Sequence, residues 1–271
     1  MTAALLPAGV GSGVLVLLLV AAFAAGWIDA VVGGGGLVQL PALLLVPGLA
    51  PVQALATNKL SAVFGTTTSA LTYHRRVRPD LRTALPMAAV ACAGAAAGAS
   101  VAARLPVAVI RPVIVLALVG IGVFTARRPG LGAVTRLRHA GRRHLGTAAV
   151  IGVVIGCYDG VLGPGTGSFL VFALVSLLGY DFLTASAQAK IVNVATNLGA
   201  LVVFVAAGSV LWVLGLLMAV ANVAGGYLGS RTATARGSRF VRVVFLVVVT
   251  VLVVRVGWDV WTDDVGPLLA S

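Results

Sequence analysis

The sequence predicts an all-α polytopic membrane protein made of two inverted repeats, each of about five helical segments, with glycine-broken helices in the membrane. Three observations predict this fold class. Of the 271 residues, 60% are hydrophobic and only 10% are charged, with a mean hydropathy of +1.09, outside the range of soluble globular domains. Residues 211–230 carry no charge and are long enough to cross ~30 Å of hydrocarbon. The third observation is an internal duplication.

The duplication is visible when residues 26–36, GWIDAVVGGGG, are set above residues 156–166, GCYDGVLGPGT. At an offset of 130 the matching pairs are Gly26 with Gly156, Asp29 with Asp159, Gly33 with Gly163, and Gly35 with Gly165. After a slip of one residue, at an offset of 131, they are Ala54 with Ala185, Lys59 with Lys190, and Tyr73 with Phe204. The chain is therefore predicted to hold a first transmembrane repeat (1–126), a basic loop (127–144) and a second repeat (145–271).

Each repeat is predicted to contain five helical segments, named a to e in the first and a′ to e′ in the second. The first set is a (13–32), b (37–46), c (51–73), d (81–103) and e (107–126). The second set is a′ (from 145), b′ (ending at 178), c′ (180–206), d′ (210–229) and e′ (240–258). Segment b is too short to span a bilayer at about 1.5 Å per residue, so a and b are either full spans or a re-entrant pair.

Arginine counts in the loops predict the orientation. The c/d loop (74–82) has four arginines, whereas the matching c′/d′ loop (206–210) has none. The d/e loop has two and the d′/e′ loop has four, and the e/a′ connection has six. With the arginine-rich loops in the cytoplasm, the two repeats run in opposite directions and both termini lie outside. An odd number of segments per repeat requires the same result.

Each repeat contains a glycine-rich interruption where an unbroken helix would be expected. The interruptions are Gly33, Gly34, Gly35 and Gly36 in the first repeat, and Gly163, Pro164, Gly165, Thr166 and Gly167 in the second. Paired interruptions in inverted repeats are typical of secondary transporters, and backbone N–H groups at the start of the following half-helix can hold an anion. The alternative is that these glycines only let helices approach closely.

The chain has 17 arginines and 2 lysines, and the two lysines, Lys59 and Lys190, are repeat-matched positions inside segments c and c′. An ammonium group inside the membrane is costly, so a partner or an aqueous cavity is expected. The alternative is that each lysine reaches an interface with its long side chain.

Uncharged polar residues beside the lysines could donate to an anionic oxygen, or could hydrogen-bond between helices. They are Thr57, Asn58 and Thr66 in segment c, and Gln188, Asn193, Thr196 and Asn197 in c′. Lys190, Asn193 and Asn197 share one helix face.

Asp29 and Asp159 are the acids within the predicted spans, and each lies four residues before its glycine interruption. Two interpretations stay open. Each aspartate is either a proton or cation site that couples transport, or a structural group that neutralises a lysine or caps the broken backbone.

Several other functions are poorly supported by the sequence. The net charge of +12 comes from arginines in short loops between apolar spans, as topology requires, so nucleic acid is not an expected partner. The GPGTG motif lacks the GK[ST] ending of an ATP-binding P-loop, and no cofactor is expected. His74, His139 and His144 fall in or beside basic loops, which argues against a catalytic Ser/His pair or a metal site.

Four segments, two in each repeat, resemble the sulfite exporter TauE/SafE family, also called the toluene sulfonate uptake permease family. In the first repeat these are GGGGLVQLPALLLVPGLAPVQALATNKL (33–60) and GTTTSALTY (65–73). In the second they are GCYDGVLGPGTGSFLVF (156–172) and ASAQAKIVNVATNLGALVVF (185–204). The resemblance implies a multi-pass transporter of the cell (inner) membrane for small anions such as sulfite or organosulfonates. It leaves the anion and the direction of transport open.

The sequence thus predicts a non-enzymatic secondary transporter for a small anion, working by alternating access in the lipid bilayer. Lys59 and Lys190 would supply charge, the two interruptions backbone donors, and Thr57, Asn58, Asn193 and Asn197 side-chain donors. The alternative is a membrane scaffold or assembly protein, in which the lysines would be paired and no cavity would open. The basic loop, predicted to be cytoplasmic, either fixes topology or binds anionic lipid headgroups.

Overall fold

A computed structural model describes residues 10–102, 127 and 132–260, apart from the side chains of 252 and 255–260. Its regular structure in these residues is helical. The helices are α1 (Ser12–Val32), α2 (Gly36–Leu44), α3 (Pro51–Val77), α4 (Leu81–Ala102), α5 (Gly141–Val161), α6 (Thr166–Ala173), α7 (Phe182–Ala206) and α8 (Trp212–Val260). Helix α6 continues as one π-helical turn, Leu174–Leu178. Predicted segment e and the d/e loop arginines lie outside the described residues.

Five of these helices are long and apolar enough to cross a membrane. They are α1, α4, α5, α7 and the part of α8 from Trp212 to Val251. The predicted all-α membrane class is therefore confirmed over the described residues. Most helices agree with the predicted segments to within a few residues, although α3 extends past Tyr73 to Val77 and α5 begins inside the predicted basic loop, at Gly141.

The predicted d′/e′ loop is the main correction to the segment boundaries. Residues 230–239 are helical and belong to α8, interrupted only by non-helical dihedral angles at Gly237 (φ 72°, ψ −174°). The alanines and arginines of this stretch are good helix formers, so the first length of α8 continues past the predicted end of d′ at 229 and is broken only at Gly237. Because 49 residues rise ~75 Å, far more than one hydrocarbon thickness, Gly237 separates two lengths of helix, 212–236 and 238–260.

The main helix–helix interfaces form a row, and the order of helices along this row is symmetric about its central pair, α3 and α7. The largest interfaces join α1 to α8, α8 to α3, α3 to α7, α7 to α4 and α4 to α5. In the predicted repeat, α1, α3 and α4 correspond to α5, α7 and the first length of α8. Each first helix of a repeat therefore packs on the fourth helix of the other repeat, and the two lysine-bearing helices, α3 and α7, lie together at the centre.

The two outer interfaces use glycines at repeat-matched positions. A Cβ atom on Gly26 would lie 2.3 Å from the carbonyl oxygen of Asn222, and one on Gly156 would lie 2.3 Å from that of Ala91, an equivalent pair. Two further contacts recur in the same way. Gly98 lies against the carbonyl oxygen of Cys157, as its match Gly229 does against that of Trp27. Gly94 lies against the carbonyl oxygen of Val153, as its match Gly225 does against that of Phe23. Helices this close leave no room for a methyl group without displacement of the neighbouring backbone.

Candidate functional site

Two buried ion pairs join the predicted repeats. Lys59 Nζ lies 2.6 Å from Asp159 Oδ2, and Lys190 Nζ lies 2.9 Å from Asp29 Oδ2. Lys59 and Asp159 are each 2% exposed, Lys190 is fully buried and Asp29 is 15% exposed. Each lysine therefore meets the aspartate of the other repeat, in a reciprocal arrangement.

The ion pairs bear on two interpretations that the sequence left open, one for the lysines and one for the aspartates. Both ammonium groups are buried against carboxylates, so the alternative in which the lysines reach an interface is wrong. Both aspartates neutralise a lysine, which is the structural role considered for them. A coupling role is compatible with the same geometry, because a carboxylate that holds a lysine can release it on protonation.

The two glycine interruptions contact each other. Helix α1 ends at Val32, and Gly33 adopts a left-handed conformation with φ 82°. Gly33 accepts a hydrogen bond from the Ser168 amide (2.8 Å), and a Cβ on Gly33 would lie 2.2 Å from the carbonyl carbon of Gly167. Only glycine fits this crossing, so the close-approach interpretation applies to at least one pair of the predicted site glycines.

Some of the expected backbone donors are already engaged. At the start of α2, the Leu37 amide donates to Gly34 O (3.1 Å) and the Val38 amide to Gly35 O (3.0 Å). At the start of α6, the Thr166 amide donates to Gly163 O (3.3 Å). Side-chain donors and Lys59 therefore carry more of the chemistry available at this site than the sequence suggested.

A narrow cavity of about 30 Å³ lies where the interruptions meet the ion pairs, with room for roughly two water molecules. Most of the predicted site residues line it. From that set these are Asp29, Gly33, Gly35, Gly36, Asn58, Lys59, Asp159, Gly163, Gly165, Thr166, Gly167, Asn193 and Asn197.

Four residues proposed from the sequence do not line the cavity. Thr57 Oγ1 instead accepts a hydrogen bond from the Leu211 amide (3.3 Å), and Pro164 O accepts one from the Tyr158 hydroxyl. Gly34 faces Val248, and a Cβ atom on Gly34 would lie 3.0 Å from Val248 Cγ1. Lys190 lies behind Asp29 and reaches the cavity through that carboxylate.

Two polar residues that were not predicted from the sequence, Gln39 and Asn222, also line the cavity. Thr66, which was predicted as a possible donor but was left out of the final site, lines it as well. Asn222 Nδ2 donates to Gln39 Oε1 (2.8 Å) and to Ala22 O (3.1 Å). Asn58 Oδ1 and Gln39 Nε2 are buried and have no hydrogen-bond partner within the described part of the chain. Amides with unmet hydrogen-bonding capacity beside a cavity are groups that a polar ligand could satisfy.

A second polar cluster lies at the ends of the helices, away from the cavity. His144 Nε2 lies 3.1 Å from both Thr83 Oγ1 and the Tyr180 hydroxyl, and that hydroxyl donates to Asp80 Oδ2 (3.1 Å). Burial alone would raise the pKa of Asp80, but hydrogen bonds from Thr83, Tyr180 and the Arg82 amide outweigh it and hold the pKa below its usual range. The described residues contain no group of three His, Cys, Asp or Glu side chains that could hold a metal ion.

Comparisons with known proteins place this geometry in context. The family model described as "Sulfite exporter TauE/SafE" matches residues 18–256. A "Probable membrane transporter protein ORF9" of Sinorhizobium sp is 39% identical over 241 residues, covering 89% of this chain and 91% of the relative. "Probable membrane transporter protein YfcA" of Escherichia coli (strain K12) is 33% identical over 243 residues, with 90% and 89% coverage. No solved structure matches this chain.

Proposed function

The chain belongs to the sulfite exporter TauE/SafE family and is a multi-pass membrane transporter, and from this premise we propose that it is a secondary carrier for a small anion. Sulfite, an organosulfonate or a related sulfur-containing anion is the expected substrate, since the family is described by sulfite export. The carrier would reside in the cell (inner) membrane, with the central basic loop in the cytoplasm and both termini outside.

The observation that carries the proposal is a polar cavity, lined by a lysine, at the place where the two interrupted helices meet. Lys59 lines the cavity together with the amides of Asn58, Asn193 and Asn197. A lysine supplies charge, and carboxamide N–H groups donate to anionic oxygens without adding charge. The glycines at 33–36 and 163–167 let the backbone approach the same space, as in transporters with discontinuous helices.

The packing supports two inverted repeats as the moving parts. The reciprocal ion pairs and the matched glycine contacts are what a two-fold relation between the repeats would produce. Alternating access would then rock one set of packed helices against the other around the central α3–α7 pair. Asp29 and Asp159 are the proposed coupling groups, because each holds a lysine at the centre.

The binding residues fall into two proposed groups. Those that line the cavity would touch the anion directly. Gly34, Thr57, Pro164 and Lys190 would act through neighbours: Lys190 by holding Asp29, and the others by fixing the broken backbone or the start of α8. Because the cavity holds only about two water molecules, binding requires it to widen.

A scaffold or assembly protein is the second candidate, and one observation favours it. Both lysines are paired and the cavity is small, as a closed core would require. The two functions differ in whether any anion crosses the membrane.

The proposal is tested by anion flux in proteoliposomes. Wild type, Lys59→Ala and Arg142→Ala are compared with sulfite, sulfate, taurine and chloride. Arg142 is an exposed basic residue outside the cavity and serves as the matched control. Selective flux of a sulfur oxyanion by wild type and Arg142→Ala, reduced at least tenfold in Lys59→Ala, is the expected result. Folded protein that moves none of these anions would favour the scaffold.

A further inference from the structure

Four ionisable side chains meet around the cavity in the described part of the chain, and their charges cancel. Lys59 and Lys190 contribute two positive charges, and Asp29 and Asp159 two negative charges. A monovalent anion that entered this buried site alone would leave it with one uncompensated negative charge. Such a charge is expensive in a low-dielectric interior, so a cation has to enter with the anion.

The two ion pairs differ in how an anion can reach them. Lys59 and Asp159 both line the cavity, whereas Lys190 is fully buried behind Asp29. The contact between Lys59 Nζ and Asp159 Oδ2, at 2.6 Å, lacks the geometry of a hydrogen bond. Lys59 is therefore the lysine that an incoming anion would meet first, and the anion would take the place of the Asp159 carboxylate there.

Thr166 lies where it can hold a proton on Asp159 once the ion pair with Lys59 has opened. Its Oγ1 lies 2.6 Å from Asp159 Oδ1 and 2.7 Å from Gly163 O. A threonine hydroxyl has one hydrogen, so it cannot donate along both of these short contacts. If Asp159 Oδ1 carries a proton, that proton is donated to Thr166 Oγ1, and the threonine hydrogen is donated to Gly163 O. Both contacts are then proper hydrogen bonds.

We infer that Asp159, seated on the Thr166 hydroxyl, is a proton-binding site that couples transport, so that one proton moves with each monovalent anion. The inference rests on the proposed function. On entry, a proton from water binds Asp159 Oδ1 while an anionic oxygen replaces the carboxylate on Lys59 Nζ. On exit to the other side both leave, and the Lys59–Asp159 ion pair forms again.

Among the residues that the structure describes, the charged and titratable groups around Asp159 are already engaged with partners. Lys59 faces it from α3, and Asp29 borders the same cavity from α1 but is bonded to Lys190 of α7 (2.9 Å). On the same helix, the Tyr158 hydroxyl donates to Pro164 O. Helix α4 packs against α5 next to Asp159 with Ala95 and Ala99, and α6 contributes Thr166.

The first test measures proton movement with anion transport in proteoliposomes that hold a pH-sensitive dye. Sulfite and ethanesulfonate are used, the second because it stays ionised and carries no proton itself. Uptake by wild type should be driven by an acidic exterior and not by a sodium gradient or a membrane potential. In Asp159→Asn, proton uptake should be lost, and anion exchange should no longer depend on pH.

The second test uses Thr166→Val, which keeps the side-chain shape and removes the hydroxyl. Without the acceptor for the Asp159 proton, half-maximal exchange should shift to lower pH by about 0.5–1 unit. If Thr166 instead donates to an ionised Asp159, its removal would shift half-maximal exchange to higher pH. Thr67→Val, in α3 and away from the cavity, is the matched control because Thr67 Oγ1 makes a similar bond, to Val63 O (2.6 Å).

The outcomes separate this inference from the proposed function. Anion exchange without proton uptake, or uptake driven by sodium, would overturn the inference and leave the carrier proposal standing. A shift to higher pH in Thr166→Val would also overturn it. Absence of exchange for both anions would overturn the inference and the carrier proposal together.

Discussion

The contributions of Lys59 and Asp159 to stability depend on each other, because both side chains are buried. Replacement of one partner leaves the other as an isolated charge in the interior, whereas replacement of both removes the charges together. We therefore expect Lys59→Met to lower the free energy of unfolding by about 3–5 kcal/mol, and Lys59→Met with Asp159→Asn to recover most of that loss.

Thermal unfolding of the purified protein in detergent measures this coupling. Lys59→Met combined with Asp29→Asn is the control, because Asp29 belongs to the other ion pair. Recovery with Asp29→Asn equal to that with Asp159→Asn would contradict the pairing.

At the scale of single residues, the sequence predicted which side chains form the site better than it predicted which of them contact one another. Four residues could be identified because each is charged, lies inside an apolar segment and has a repeat-matched partner: Lys59, Lys190, Asp29 and Asp159. Which aspartate meets which lysine depends on how the repeats pack, and sequence spacing does not contain that information. Asn222 was missed because its repeat-matched position is Ala91, so the duplication did not mark it.

The helix interfaces are built from glycines whose positions repeat. Gly156 and Gly146 lie on the same helix, α5. Gly156 contacts α4 closely, whereas a Cβ on Gly146 would meet nothing within 4 Å among the residues that the structure describes. We expect Gly156→Ala to destabilise the protein by about 1–3 kcal/mol through overpacking against Ala91. Gly146→Ala should be neutral or stabilise it by up to about 1 kcal/mol, because alanine is the better helix former.

Thermal unfolding in detergent, with both variants compared to wild type, tests this difference. Gly26→Ala should behave like Gly156→Ala, because Gly26 makes the equivalent contact with Asn222. Equal melting temperatures for Gly146→Ala and Gly156→Ala would argue against close packing of α4 and α5.

The predicted helix ends are correct where a change in hydrophobicity coincides with a helix breaker. They are wrong where the two signals fall at different residues. The interruptions at 33–35 and 162–165 contain glycine or proline, and helices end there as expected. Residues 230–236 differ from the span before them only in polarity, and the first length of α8 runs through them as far as the break at Gly237. A change to polar residues alone therefore did not end this helix, which continues to the next glycine.

The orientation of the whole molecule is a prediction of the inverted repeats. Single cysteines at Gly208 and Arg78, in a background with Cys92 and Cys157 replaced by alanine, would report the two sides of the membrane. A membrane-impermeant maleimide added to intact cells should label Gly208→Cys, and should label Arg78→Cys only after permeabilisation. Labelling of both positions from the same side would break the inverted-repeat argument.

The exchanged packing of the outer helices has a consequence for biosynthesis. Gly26 of α1 must wait for Asn222 of α8, which is translated 196 residues later. At ~5–20 residues per second, α1 spends roughly 10–40 s in the bilayer without its neighbour. During that time the first repeat exposes a helix surface that is buried in the finished protein, and membrane quality-control proteases would be able to recognise it. A ribosome that stops after the first repeat would release a product marked for proteolysis.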